Sequence, residues 1–103
     1  MPKKEIRILQ LIDSLEAGGA ERMAVTYANA LHQELGFSAL ACTRAEGMLK
    51  QQVASGVVYA FLARKSFFDF AALLRLYSLI NQHHISHILA HSSSVFFAVL
   101  LKV

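Results

Sequence analysis

The sequence holds one cysteine, one proline, no tryptophan and five glycines in 103 residues. A single thiol, Cys42, closes no disulfide within the chain, which excludes a cysteine-stapled secreted framework and leads us to expect a reducing, cytoplasmic address. Scarce proline and glycine, beside 55% hydrophobic residues, exclude a disordered composition. No secretory signal is expected, because the opening Met1-Pro2-Lys3-Lys4-Glu5 meets Arg7 before any sufficient apolar run. Long hydrophobic runs are missing as well: Asp69 and Arg75 interrupt them, or they end after about a dozen residues, against the roughly 20 of a spanning helix. Charge is thin at 17%, with ten Lys and Arg against seven Asp and Glu. The basic residues are scattered from Lys3 to Lys102, so no nucleic-acid face is expected, and ordinary solvation, a phosphate-bearing ligand or an anionic membrane surface can each account for the excess. The length suffices for one small core.

What is present is an alternation of short apolar runs with helical periodicity. Ile6 to Ile12 reads as a buried strand, followed by a loop from Asp13 to Gly18. Ala20, Met23, Ala24, Tyr27, Ala28, Leu31 and Leu35 then recur at spacings of three and four, one face of a helix that Gly36 stops. Phe37 to Thr43 is a second strand, Glu46 to Ser55 a short helix closed by Gly56, and Val57 to Ala63 a third strand. Ser66 and Asp69 resemble a capping pair for a helix whose stripe is Phe70, Leu73, Leu74, Tyr77 and Ile80, ending by Gln82. Ile85 to Ala90 is a fourth strand, and the serines at 92 to 94 offer caps for a last helix through Val95 to Leu101. The order βαβαβαβα predicts an α/β fold, a Rossmann-like parallel sheet with alternating helices and strand order 3-2-1-4. The last helix is still apolar at Val99, Leu100, Leu101 and Val103, which suggests an incomplete domain over residues 1–103 and a surface for self-association.

In that topology the carboxyl ends of strands 1 and 4 border the ligand crevice. The loop after strand 1 brings Gly18-Gly19 to a helix start, where backbone N–H groups and the helix dipole suit phosphate or diphosphate; a plain tight turn is the other reading. Gly18-Gly19-Ala20-Glu21-Arg22 is neither a GxGxxG element nor a Walker loop, which disfavours a dinucleotide enzyme and a P-loop ATPase. Glu21 suits the helix dipole, and Arg22 either reaches a ligand anion or pairs at the surface.

His83, His84, His87 and His91 would share a face only if their segment were helical. As a strand, it sets His87 and His91 about 13 Å apart, too far to share a zinc ion, so no metal site is expected. His91 then stands at the crevice, as acid, base or hydrogen-bond donor, or as a structural histidine. Arg64, Lys65, Phe67, Phe68 and Phe70 could meet an anionic bilayer, but a core-facing aromatic stripe with solvated charges accounts for them too. Cys42 reads as a small core residue, and the serines after His91 as a helix cap.

Ile8-Leu9-Gln10-Leu11-Ile12-Asp13, Gly18-Gly19-Ala20-Glu21-Arg22 and Ile88-Leu89-Ala90-His91-Ser92 resemble the amino-terminal half-domain of the family 4 glycosyltransferases, retaining enzymes of the GT-B fold. The resemblance spans essentially the whole chain. It implies a protein that moves a sugar from a nucleotide-sugar donor to a glycan or lipid-linked acceptor, without an obligatory metal or further cofactor, in a cleft between two Rossmann-like domains. It implies that His91 lies beside the reacting sugar, that Gly18, Gly19 and Arg22 meet the donor diphosphate, and that Asp13 and Ser92 lie on the acceptor side. The chain departs from the family at Ile85-Ser86, where a Pro-Asp pair is usual, and at Leu89, where a second histidine is frequent. The carboxy-terminal domain that would bind the nucleotide-sugar is not in these 103 residues, so this piece alone is expected to be inactive, with peripheral contact at the inner membrane face a further expectation. A stand-alone flavodoxin-like module binding a small anion or a protein is the alternative.

Overall fold

Short apolar runs separated by helices can bury their strands only as a parallel sheet covered on both faces, and the computed structural model, which describes residues 6–16, 18–66 and 69–91, has that form. Four strands, β1 (Ile8–Ser14), β2 (Ala39–Ala45), β3 (Val58–Phe61) and β4 (His87–Ala90), make one sheet in the order β3-β2-β1-β4. All three pairings are parallel, with Leu11 beside Ala41 on one side and Ala90 on the other. The expected α/β class and strand order are both present.

Helix α1 (Gly19–Leu35) covers one face and α2 (Phe70–His83) the other. Strand alternation divides the core accordingly. Leu9, Leu11, Ala39 and Ala41 pack with Ala72, Leu76 and Leu79 of α2, whereas Ile12, Leu40 and Cys42 pack with Ala24, Val25 and Ala28 of α1. Alanines at the contacts let each helix lie close to the strands, and the fully buried Leu9, Leu11, Leu40 and Leu76 each contribute roughly 1.5–3 kcal/mol of transfer free energy.

The helix ends follow from local chemistry. Asp69 caps α2, accepting from Ala72 N at 3.1 Å and from Lys65 N at 2.8 Å, and these bonds hold its carboxyl below the usual carboxylate range. His84 ends α2 in the left-handed region at φ 54°, and Gly36 ends α1 at φ 80°, its N–H bonded to His32 O.

Several expectations need correction. The helix expected over Glu46 to Ser55 is a five-residue 3-10 helix, Met48–Gln52, because this short connection is pinned at both ends. Leu49 N donates to Leu15 O, and Glu46 bridges Lys50 and the Tyr59 hydroxyl. β3 is four residues long rather than seven: Ala63 turns left-handed at φ 55° and ends it. On α2, Phe70, Leu74 and Tyr77 of the expected core stripe face solvent, and Ala72, Leu76 and Leu79 form the buried face with Leu73 and Ile80 packed against it. On α1, Met23, Tyr27 and Leu35 are likewise exposed, and Val25 takes a core place. The last helix expected through Val95 to Leu101, with Ser92 and its self-association surface, lies outside the described residues.

Candidate functional site at the carboxyl edge of the sheet

β1 and β4 are neighbours, so the loops that leave their carboxyl ends emerge side by side. After β1 the chain enters α1 through Gly18, the N-cap, in a fully extended conformation and with no side-chain cap. The carboxylate of Glu21 supplies the missing negative charge by folding back over this end. A Cβ built on Gly18 would stand 2.5 Å from Glu21 Oε1, whereas one on Gly19 would meet nothing within 4 Å. The helix start is therefore open at Gly19 and shielded by an acid at Gly18. Arg22 is exposed one turn on, its N–H bonded to Gly18 O.

After β4, His91 N donates to Leu11 O at 2.9 Å, extending the ladder by one residue and fixing where the imidazole stands. Its Nε2 donates to the Oε1 of Gln10 at 2.7 Å, and its ring lies 6.4 Å from that of Tyr27, centroid to centroid. Gln10 is fully buried in the central strand, and its amide nitrogen has no hydrogen-bond partner. Burial holds the His91 pKa below its ordinary value near 6.5, so the ring is neutral at pH 7.

Asp13 belongs to a different cluster. Its carboxylate is buried, accepts from Thr43 Oγ1 at 2.5 Å and Arg64 Nη2 at 3.2 Å, and has Arg44 Nε at 3.7 Å. The left-handed turn at Ala63 directs the chain so that Arg64 reaches it, with Arg64 N bonded to Thr43 O. By strand alternation Asp13 shares the α2 side of the sheet with Leu9 and Leu11, whereas Gln10 is on the α1 side, where it bonds His91. The structure thus brings the Gly18-Gly19 helix start and His91 to the ends of neighbouring strands, and it commits the Asp13 carboxylate to Thr43 and two arginines.

Cys42 is buried on the α1 side, its Sγ donating to Ala45 O at 2.6 Å, and burial pushes the thiol up to about 12. It is a core residue. Among the described residues no group of three or more His, Cys, Asp or Glu is placed to hold a metal ion, and no helix is long and apolar enough to cross a membrane. Sequence reasoning missed Gln10, Thr43, Arg44 and Arg64. A glutamine within the apolar stretch Ile8 to Ile12 was the one local signal.

Compared with models of protein families, with curated proteins and with solved structures, the chain matches none.

Proposed function

We propose that this chain is the acceptor-side, Rossmann-like half of a retaining glycosyltransferase, which transfers a sugar from a nucleotide-sugar donor to a glycan or lipid-linked acceptor once a donor-binding domain is joined to it. One observation carries the reading: the β1–β4 pairing sets an open glycine helix start and a neutral histidine at the same end of adjacent strands. Diphosphate at the α1 start would be met by backbone N–H groups at Gly18 and Gly19 and by the positive end of the helix, which favour leaving-group departure. Glu21 must swing aside for that contact, and Arg22 stands one turn on from Gly18. His91 presents its ring beside that end as a hydrogen-bonding group for a sugar or acceptor hydroxyl. In this reading Asp13 shapes the acceptor side indirectly, by tying Arg64 and Thr43 to the end of β1.

The reading frame beyond Val103 and the complete gene product test it. A second Rossmann-like domain is expected downstream, and His91→Ala in the complete protein is expected to lower kcat/KM by about 100-fold or more. A stop codon directly after Val103 would sink the proposal in favour of a stand-alone binding module. A variant within about twofold of wild type would remove His91 from the cleft chemistry.

A further inference from the structure

Gln10 occupies a place that packing alone would give to an aliphatic residue. Its ladder neighbours are Leu40 on β2 and Leu89 on β4, and it is fully buried on the α1 side of the sheet. Among the described residues its amide nitrogen has no hydrogen-bond partner, so a buried donor is left unsatisfied at a cost to the fold. What the side chain does make is a hydrogen bond from His91 Nε2 to its Oε1, at 2.7 Å. Local rules broken in this way are expected at functional sites.

His91 is held from three directions. Its backbone N–H is bonded to Leu11 O at 2.9 Å, its ring lies beside that of Tyr27 with centroids 6.4 Å apart and planes inclined by 36°, and Gln10 holds its Nε2 edge. The backbone bond fixes where the ring hangs and Tyr27 limits how it tilts, but neither distinguishes one ring nitrogen from the other. The amide oxygen does, because it can only accept: the proton goes to Nε2, and the lone pair of a neutral ring to Nδ1. The partner's lack of charge matters too. A carboxylate in this place would favour the imidazolium, whereas an amide orients the ring without drawing a second proton onto it.

We propose that Gln10 is a positioning residue, which fixes His91 in the Nε2–H tautomer so that Nδ1 accepts a hydrogen bond from a hydroxyl of the bound sugar or acceptor. This rests on the reading of His91 as the ring beside the reacting sugar and deepens it: the imidazole serves as a neutral hydrogen-bond acceptor, not as a charged acid. Gln10 is fully buried, so it acts through His91 and not on the substrate.

Nitrogen NMR of the imidazole rings in the complete gene product tests this, with His91→Ala identifying the His91 signals. In the unmodified protein at pH 7.5, His91 is expected as one tautomer with its proton on Nε2. Gln10→Met keeps the volume and removes the hydrogen bond. It is expected to give a mixture of both tautomers and to melt no lower than wild type. With the nucleotide-sugar that the complete protein turns over, it is expected to lower kcat by about tenfold or more and to leave the donor KM little changed. A residue of purely structural value would do the reverse, lowering the melt and leaving the tautomer alone. A proton on Nδ1, a mixed population in the unmodified protein, or a tautomer that Gln10→Met leaves unchanged would overturn the proposal. So would full activity in Gln10→Met where His91→Ala is inactive. If His91→Ala is itself silent while Gln10 still fixes the tautomer, the glycosyltransferase reading falls and the positioning of His91 by Gln10 stands.

Discussion

Gln10 and His91, 81 residues apart in sequence, meet side chain to side chain at 2.7 Å where β4 ends beside β1. The amide oxygen accepts and Nε2 donates. Because the folded pKa of His91 lies below its ordinary value near 6.5, the unfolded chain binds more protons in the window between the two. The contribution of His91 to stability is therefore complete above that ordinary value and is lost as pH falls through the window. Thermal melts between pH 7.5 and 5 are expected to show a slope that His91→Gln reduces. An identical slope in the variant would assign the acid sensitivity to other groups.

Asp13 receives Thr43 and Arg64 in a site where the Asp13 and Arg64 side chains are 9% and 10% exposed. Asp13→Ala removes the carboxylate that accepts from Thr43 and Arg64 and is expected to cost about 3 kcal/mol. Urea unfolding measures it, and a loss below about 1 kcal/mol would mean that solvent already screens the pair.

Gly47 lies against backbone, not side chain. A Cβ there would stand 2.4 Å from Glu16 N and 2.5 Å from Leu15 O, in the loop that leads to α1. Gly47→Ala must displace that loop and is expected to cost about 1–3 kcal/mol in denaturant unfolding. Gly19→Ala, which meets nothing, is expected to be neutral or to stabilise by up to about 1 kcal/mol. If both were silent, the tight approach of Gly47 would be disproved.

Cys42 is buried, and its thiol is pushed up to about 12. Maleimide at pH 7.5 is expected to leave it unmodified in the native protein and to label it fully in denaturant, as read by mass spectrometry. Rapid native labelling would place it at the surface.

On α2, Leu76→Ala is expected to cost about 2–5 kcal/mol and Leu74→Ala less than about 0.5 kcal/mol. Comparable losses would contradict the division between the inner and outer faces of the helix.

That division marks how far the sequence alone could be read. Strand runs and helical spacing were enough for the four strands, the two α-helices and the sheet order, since right-handed crossovers restrict the choices. They did not separate Leu76 from Leu74, because both are leucine and α2 is apolar over more than one face; which face is covered depends on the strands beneath. The pinned connection at Met48–Gln52 escaped for a similar reason: the bond from Leu49 to Leu15 is nonlocal. At the candidate site, Gly18, Gly19 and His91 were legible from their places after strands. The partners of Asp13 were not, for Thr43 and Arg64 lie 30 and 51 residues along the chain. Neither spacing nor motif links them.

The central position of β1 also governs how the chain assembles. Its pairing with β2 needs only the intervening helix, but its other edge waits for β4, where Arg7 and Ser86 meet across 79 residues. During synthesis β1 thus keeps one backbone edge unpaired until β4 has emerged. Loop-closure entropy must be met before β4 contacts repay it, so this sheet belongs with the slower small folds, and its vulnerable interval closes when Ala90 leaves the ribosome.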